Sequence, residues 1–405
     1  MDRRRFLGVG AGLTAGFAGL GPAAGATEAP RIRSYVTLGR TGLQVSDISF
    51  GSSRSSDPDL VRHAVERGVT YFDTAESYRG GRAEEAIGEA LAGRRDRFVI
   101  ASKHKAWSGE TRKSMASALE GSLRRLRTDY VDIYYNHAVN DVRRLQNPEW
   151  REFTERAVRD GKIRHRGVSG HGSALAECLD HALDHDLADV ILAAYNFAED
   201  ASFLEKMRAR FHFVAPQTGL ARVLERASAK GVGVLAMKTL MGARLNDMRP
   251  YETGGATFAQ AAFRWVLSSP HVDGLLVSMT DTAAIDEYVA ASGGGEVSGA
   301  ELSLLGRYAE RQGSRYCRHG CGACGESCPS GVEIAEVLRT RMYEVDYRDP
   351  LLARMDYAAL GPHDASACLT CDGTPCLGAC PAGIPVPSFT RDAALRLGGA
   401  GPAIA

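Results

Sequence analysis

The sequence carries no excess of charge of either sign, because 49 Lys plus Arg residues balance 49 Asp plus Glu residues in a chain of 405. Proteins that hold nucleic acid through its phosphates present basic surfaces, so this balance argues against nucleic acid as a partner. Long apolar runs are also missing. The Gly- and Ala-rich stretch after Leu7 is too short, and its side chains are too small, for a membrane span. What remains is a globular chain long enough for one large and one small domain.

Cysteine is nearly absent from the first three quarters of the chain. Cys178 alone precedes residue 316, and eight cysteines follow it. Cys178 falls in a helical stretch, where a small core residue is a better interpretation than a nucleophile. The uneven distribution predicts a domain boundary near residue 300, next to a glycine run. The expected large domain covers 34–296, the small domain covers 300–392, and 393–405 form a tail.

The first residues have the composition of an export signal. Three arginines precede Phe6 and Leu7, a weakly apolar run follows, and Ala24-Gly25-Ala26 offers a small-residue cleavage site. The Arg-Arg-x-Phe-Leu order resembles a twin-arginine signal, although an ordinary secretory signal is the alternative. The resemblance implies a cleaved signal at 1–26, a periplasmic or other extracytoplasmic location, and no stable membrane span after cleavage. The twin-arginine route is known for moving folded proteins that already hold their cofactor.

Eight short apolar runs alternate with amphipathic segments from Tyr35 to about residue 292. The runs are VSDISFGSS, YFDTA, FVIASK, VDIYYNH, IRHRGVSG, DVILAAYN, VGVLAMK and DGLLVSM. Strands that alternate with helices in this number predict an α/β fold, a (β/α)8 TIM barrel. An open doubly wound sheet is the alternative, but SFGSSRSSD after the first strand does not fit a G-x-G-x-x-G phosphate loop.

Polar residues stand where three successive predicted strands end. Asp73 follows one strand, Lys103 ends the next, and His137 ends the third, while Tyr78 lies in the loop after Asp73. The carboxyl ends of barrel strands carry the chemistry of this fold, so these four side chains are expected at one rim. Asp73 as a loop cap and Tyr78 as a surface aromatic are the alternatives that each residue allows by itself.

These residues resemble the motifs of the aldo/keto reductase family: FDTAESY, ASK at 101–103, and NH at 136–137. The resemblance covers residues 34–292 and implies carbonyl reduction or alcohol oxidation by hydride transfer on a small, sugar-like substrate. It implies Tyr78 as the acid/base and His137 as the residue that orients the carbonyl oxygen. A nearby ammonium lowers the pKa of a phenol, so Lys103, held by Asp73, is expected to lower the pKa of Tyr78.

The resemblance weakens where the family binds nicotinamide. Ser169 is present, but Gly170 replaces the family's Asn, and Leu192 stands where its Gln is expected. The region after the eighth strand, SMTDTAAIDEY, contains acidic residues instead of a base that could face a 2′-phosphate. Lys238, Thr280 and Thr282 remain as candidate contacts, the threonines with the N–H groups of the next helix. NAD(P)H binding is therefore expected to be weak or altered.

The eight late cysteines form two similar groups, each followed by Pro, a small residue and Gly. The groups are Cys317, Cys321, Cys324 and Cys328, and Cys368, Cys371, Cys376 and Cys380. Both resemble the bacterial ferredoxin run C-x2-C-x2-C-x3-C-P with one altered spacing each. The resemblance implies a ferredoxin-like domain with two 4Fe–4S clusters, in which each group lends its fourth cysteine to the other cluster.

Zinc sites and disulfides are the alternatives for these cysteines. Between the groups, VEIAEVLRTRMYEVDY is an amphipathic stretch that is predicted to pack the small domain on the barrel. The fused arrangement resembles a known group of aldo/keto reductases with a C-terminal ferredoxin-like domain.

Three hypotheses for the whole chain follow. The first is an exported oxidoreductase with an iron–sulfur module and a small carbonyl or alcohol substrate. The second is an electron-transfer protein with a redox partner protein, in which the barrel is a scaffold. The third is a sugar-type binding barrel with structural clusters.

Overall fold

The structure, a computed structural model, describes residues 29–197, 219–241, 248–252, 255–318 and 321–399. The expected export signal lies outside the described residues. Within them, no helix combines the length and the apolar character needed to cross a membrane.

Eight parallel strands close into a barrel in chain order, as the sequence predicts. A short antiparallel hairpin of β1 (Tyr35–Thr37) and β2 (Gln44–Ser46) precedes it. The barrel strands are β3 (Ile48–Gly51), β4 (Tyr71–Asp73), β5 (Val99–His104), β6 (Val131–Asn136), β7 (Ile163–Gly170), β8 (Val190–Ala194), β9 (Gly233–Met237) and β10 (Gly274–Ser278). Strand β10 pairs with β3, so the barrel has no open edge.

Helices cover the outside of the barrel and form the C-terminal part of the chain. Those between barrel strands are α1 (Pro58–Glu66), α2 (Arg82–Ala90), α3 (Arg112–Leu126), α4 (Val142–Leu145), α5 (Pro148–Arg159), α6 (Leu175–Asp184), α7 (Leu220–Ala229) and α8 (Phe258–Leu267). After the last strand come α9 (Thr282–Val289), α10 (Gly299–Gln312), α11 (Ile334–Val345), α12 (Pro350–Ala358), α13 (Pro375–Ala379) and α14 (Val386–Leu397).

Large side chains fill the barrel interior. Tyr71, Tyr135, Leu192 and Leu235 belong to a core inside the strands, and the hairpin residue Leu38 closes it from below. Gly39 makes this closure feasible, since it has a φ of +48° and a Cβ there would lie 2.4 Å from the backbone N of Gly233. The interior is therefore a packed core, and chemistry is confined to the rim.

The strand register brings the predicted residues to the same rim. Asp73 on β4 pairs with Ala101 on β5, and Lys103 pairs with Tyr135 on β6. His137 directly follows β6, and its backbone N–H donates to the carbonyl of His104 at 2.8 Å. Parallel strands in this register end together, so their terminal side chains share one opening.

Residues 300–318 and 321–399 form a helical unit that we call the C-terminal module. Helix α10 packs on the barrel core through Leu304, Leu305 and Tyr308. Helices α11, α12 and α14 build a separate small core. Helix α14 runs across the expected boundary at 392, and Leu397 is buried in that core, so the folded module extends beyond the predicted tail start.

The module lies over the carboxyl rim of the barrel. Lys105 Nζ contacts Asp356 Oδ1 at 3.0 Å, and Arg54 Nη2 donates to the carbonyl of Tyr347 at 3.0 Å. Arg339 Nη1 lies 3.0 Å from His171 Nδ1. These contacts come from α11, α12 and the turn between them, so the amphipathic stretch does pack the module on the barrel.

Candidate active site

A cavity of about 200 Å³ opens where the barrel rim meets the module. Asp73, Tyr78, Lys103 and His137 line its barrel side. Its module side is lined by Tyr343, Tyr347, Asp349, Leu352, Met355 and Asp356. A substrate would therefore be enclosed by both parts of the chain, in the concave and largely apolar setting typical of small-molecule sites.

Lys103 and Asp73 form a buried ion pair at the floor of this cavity. The Lys103 ammonium donates to Asp73 Oδ1 and also to the carbonyl of Thr74 at 2.7 Å. Both side chains are almost fully buried. Burial raises the pKa of Asp73 and lowers the pKa of Lys103, and the attraction between the two charges opposes both shifts. In the described part of the chain the buried Asp73 Oδ2 has no hydrogen-bond partner.

Tyr78 and His137 lie beside this pair. The Tyr78 hydroxyl is 3.5 Å from His137 Nε2, with the two rings edge to face at 79°. Lys103 Nζ lies 4.8 Å from the centre of the Tyr78 ring. Arg144 anchors the backbone of this corner, since its Nη2 donates to the carbonyl of His137 at 2.9 Å. The four predicted residues thus converge on one corner of the cavity.

The charge states of these two side chains follow from their surroundings. Burial, reinforced by the charges of Lys103 and Lys105, lowers the pKa of His137 well below its ordinary value. The imidazole is therefore neutral at neutral pH. One ring nitrogen of a neutral imidazole carries a proton and can donate it in a hydrogen bond to an oxygen.

The expected lowering of the Tyr78 pKa by Lys103 is not found in this structure. Burial raises the pKa of Tyr78 well above its ordinary value, and Asp73, Tyr343 and Asp356 add to the effect. The physical reason is that Lys103 is paired with Asp73, so its charge is largely compensated, whereas the module removes water from the phenol. Tyr78 is therefore a protonated phenol, ready to act as an acid.

The positions predicted to contact nicotinamide are less suited to that role than the four rim residues are to theirs. The Ser169 hydroxyl accepts from the backbone N–H of Ala138 at 3.1 Å and donates to the Asn136 carbonyl at 3.4 Å. Gly170 has no room for a side chain, because a Cβ would lie 2.7 Å from Leu175 Cδ1. Leu192 is fully buried in the barrel interior. The two missing amides thus have no local substitute at these positions.

Thr280 and Thr282 are away from the cavity wall, which β10 reaches only through Leu276, Val277 and Ser278. The N-terminus of α9 is already capped, since the Asp281 carboxylate accepts from the backbone N–H of Ala284 at 2.8 Å. A pyrophosphate there would meet that carboxylate. Lys238, by contrast, lines the cavity.

The cysteines all lie in described parts of the chain, and none of the nine forms a disulfide. Burial raises the pKa of the Cys324 thiol to about 12, with added repulsion from Cys380 and Cys321. Burial also raises the pKa of Cys376, with repulsion from Cys368, Cys328 and Cys371. Cys376 also contributes to the raised pKa of Cys324, so thiols of both sequence groups lie near one another in the module. In the described residues, no three His, Cys, Asp or Glu side chains are arranged to hold a single metal ion. Cys178 is buried in the barrel core, as expected.

Sequence analysis missed the module's share of the cavity. Tyr343, Tyr347 and Asp356 carry no motif, and only the amphipathic pattern around Tyr343 indicated that this stretch packs on the barrel. Lys105 was also missed, although it is two residues beyond Lys103 on the same rim.

Known proteins resemble this chain in sequence and structure. A sequence model of the aldo/keto reductase family matches residues 47–252. L-glyceraldehyde 3-phosphate reductase of Escherichia coli O157:H7 is 26% identical over 319 residues, which cover 68% of this chain and 92% of that protein. Methylglyoxal reductase YeaE of Escherichia coli K12 is 39% identical over 118 residues, covering 29% of this chain and 40% of that protein. A solved aldo-keto reductase from Klebsiella pneumoniae in complex with NADPH has 28% identity and a TM-score of 0.53, covering 69% of this chain and 94% of that chain.

Replacing Lys103 tests the buried ion pair. Lys103→Met should lower the free energy of unfolding by about 3–5 kcal/mol, because it leaves the Asp73 carboxylate buried and unpaired. Adding Asp73→Asn should recover part of this loss, since the buried charge is removed. Urea unfolding of the single and double variants measures both effects. The control is Lys105→Met, which removes a partly exposed pair and should cost less than about 1 kcal/mol. Equal losses for Lys103→Met and Lys105→Met would contradict the assignment.

Proposed function

The chain belongs to the aldo/keto reductase family and is an oxidoreductase, and from this premise we propose that it reduces a small carbonyl compound, or oxidises the matching alcohol, at the rim cavity. The observation that carries the proposal is the convergence of Tyr78, His137, Lys103 and Asp73 in one corner of that cavity. The four are arranged as the protonation of a carbonyl oxygen requires. The resemblance assigns Tyr78 as the acid/base.

Hydride addition to a carbonyl carbon builds negative charge on the oxygen. In this proposal the neutral His137 donates a hydrogen bond to that oxygen, and Tyr78 donates its proton. The phenolate that remains lies beside the Lys103 ammonium, 4.8 Å from the centre of the ring, but that charge is already paired with Asp73. Asp73 holds Lys103 in position, which makes it a positioning residue.

The described residues do not provide the contacts that the family uses to bind nicotinamide, the expected hydride donor. Gly170 has no room for an amide, Leu192 is inside the barrel core, and Asp281 occupies the nearest helix N-terminus. The proposal is therefore limited to what the chain's own residues do to the substrate oxygen.

We also propose that the module holds two 4Fe–4S clusters. One would be held by Cys317, Cys321, Cys324 and Cys380, and the other by Cys328, Cys368, Cys371 and Cys376. The support is that Cys321 and Cys380 are the thiols that most raise the pKa of Cys324, while Cys368, Cys328 and Cys371 raise that of Cys376. Cys317 is placed in the first cluster by the sequence resemblance alone. A cluster binds each thiolate at a different iron, so its ligands need not meet as the ligands of one ion do. Such clusters supply one-electron transfer or structural support.

A second candidate function is electron transfer to a partner protein, with the barrel as a scaffold. The specific observation in its favour is the crowding at Gly170, where a Cβ would lie 2.8 Å from the Val139 carbonyl oxygen. A barrel that had lost nicotinamide binding would tolerate this crowding. Only the first function requires the Tyr78 hydroxyl, as a proton donor.

Replacing Tyr78 separates the two functions. Tyr78→Phe keeps the ring and removes the proton donor, so kcat/KM for aldehyde reduction should fall by about 10²–10⁴-fold. Steady-state oxidation of NADH and of NADPH with small aldehydes provides the measurement, with Tyr130→Phe, outside the cavity, as the control. Unchanged turnover in Tyr78→Phe would exclude the proposed role. A wild-type protein that oxidises neither cofactor but exchanges electrons through its clusters would favour the second function.

Metal analysis tests the clusters. Protein purified without oxygen should contain about eight irons and eight sulfides per chain, because each cluster holds four of each. Cys317→Ser and Cys376→Ser should each reduce the iron content to about half, and EPR of the reduced variants should show different remaining signals. Cys178→Ala, a change in the barrel core, should leave the iron unchanged. Zinc in place of iron, or no metal at all, would refute the proposal.

Finally, we propose that the chain is exported by the twin-arginine route to a periplasmic or other extracytoplasmic location. The support is the order of Arg3, Arg4, Phe6 and Leu7. Replacing Arg3 and Arg4 by lysines keeps the charge and should retain the protein in the cytoplasm. Arg5→Lys is the control, since this position is variable in the pattern. Cell fractionation with immunoblotting measures the distribution, and continued export of the double variant would indicate an ordinary secretory signal instead.

A further inference from the structure

A second phenol faces the cavity from the module. Tyr343 lies in the last turn of α11, is buried, and lines the cavity that contains the Tyr78 corner. An ionised Tyr343 would repel an ionised Tyr78, and this repulsion contributes to the raised pKa of Tyr78. The cavity therefore holds a hydroxyl group on the barrel side and another on the module side.

The hydroxyl of Tyr343 accepts a hydrogen bond and still has its own proton to donate. Lys238 Nζ donates to the Tyr343 hydroxyl oxygen at 3.1 Å. In the described part of the chain Lys238 is the only hydrogen-bond partner that this hydroxyl has. An ammonium can only donate, so the phenolic proton remains available to an acceptor in the cavity. Burial raises the pKa of Tyr343 to about 12, so this proton is present at neutral pH.

Lys238 is held in place by an unusual backbone. Its φ of +57° is in the left-handed region, which a residue with a long side chain seldom adopts. The carbonyl of Lys238 accepts from Asn196 Nδ2 at 3.3 Å and from the backbone N–H of Met241 at 3.3 Å. Strain of this kind persists where the surroundings enforce it, and it concentrates at functional sites. Here it directs the ammonium towards Tyr343.

The contact between Lys238 and Tyr343 is not needed to hold the module on the barrel. Lys105 with Asp356, and Arg79 with Asp349, already connect the barrel to α12 and its N-terminus by ion pairs. A hydroxyl whose proton faces a cavity adds little to such a tether. It adds a hydrogen-bond donor on the module side of the cavity that Tyr78 and His137 line from the barrel.

We propose that Tyr343, positioned by Lys238, binds a second oxygen of the substrate, such as a hydroxyl next to the carbonyl that Tyr78 protonates. The substrate class would then be hydroxycarbonyl compounds, with simple aldehydes as poor substrates. This inference rests on the proposed carbonyl-reducing function. It assigns to the module a role in substrate selection that does not depend on its cysteines.

The test compares glyceraldehyde, which has two hydroxyls, with propanal, which has the same carbon chain and none. Tyr343→Phe keeps the ring packing and removes the donor. Its kcat/KM for glyceraldehyde should fall about tenfold or more, mainly through KM, while the value for propanal stays within about twofold. Lys238→Met should have the same selective effect as Tyr343→Phe, lowering kcat/KM for glyceraldehyde more than kcat/KM for propanal.

Two controls make the result interpretable. Arg79→Met weakens an interdomain contact whose barrel residue does not line the cavity, and it should affect neither substrate selectively. Saturation-transfer NMR of both aldehydes, recorded without any cofactor, reports binding independently of turnover. Loss of glyceraldehyde preference in Tyr343→Phe by NMR would support the inference even if the wild-type protein shows no turnover, in which case only the proposed reaction fails.

The inference is overturned if wild-type protein binds glyceraldehyde no better than propanal. It is also overturned if Tyr343→Phe lowers the affinity for both aldehydes equally. That result would mean that Tyr343 only helps to hold the module on the barrel.

Discussion

The buried contact between the Lys103 ammonium and the Asp73 carboxylate is the interaction on which the rest of the site depends. It joins the ends of two neighbouring barrel strands, and each charge would be costly at that depth without the other. Burial keeps the neighbouring Tyr78 and His137 uncharged, and the charges of the pair act in the same sense, Asp73 on the phenol and Lys103 on the imidazole. The phenol remains protonated and the imidazole remains neutral. Both are the forms that can donate a hydrogen to a developing oxyanion.

The module imposes the second constraint, since it covers the rim on which the barrel's chemistry is placed. Its helices α11 and α12 and the turn between them cover the phenol and supply one side of the cavity wall. A smaller neighbouring cavity is lined by Cys317 on the module side and by Lys238 on the barrel side. Lys238 therefore borders both spaces, and Cys317, one of the proposed cluster ligands, lines the smaller one. A site built in this way couples substrate access to the position of the module.

The barrel and the rim position of four side chains could be predicted from the sequence, because strand-like runs appear in chain order and three successive ones lead to Asp73, Lys103 and His137. Local patterns contain that information. The contribution of Tyr343 and Asp356 could not be predicted, since it arises when residues more than 200 positions downstream fold back over Tyr78 and Lys103. The pKa of Tyr78 was mispredicted for the same reason. Proximity to Lys103 was visible in the motif, whereas the loss of water beneath the module was not. The crowding at Gly170 likewise depends on how Leu175 and Val139 pack.

The direction of the proposed reaction follows from these charge states. A phenol whose pKa is raised by burial is protonated at neutral pH, which is the form that carbonyl reduction needs. The same shift makes it a weaker acid, so its proton moves only as negative charge develops on the substrate oxygen. Reduction therefore begins from the resting state of the site, whereas oxidation of an alcohol would need the minor, deprotonated form. The neutral His137 acts in the same sense, because a hydrogen bond to an oxyanion strengthens as negative charge develops. The oxygen side of the site thus holds the protonation states that the proposed carbonyl reduction needs. The clusters that we propose would transfer electrons one at a time, so that reaction would need a separate two-electron donor in the cavity.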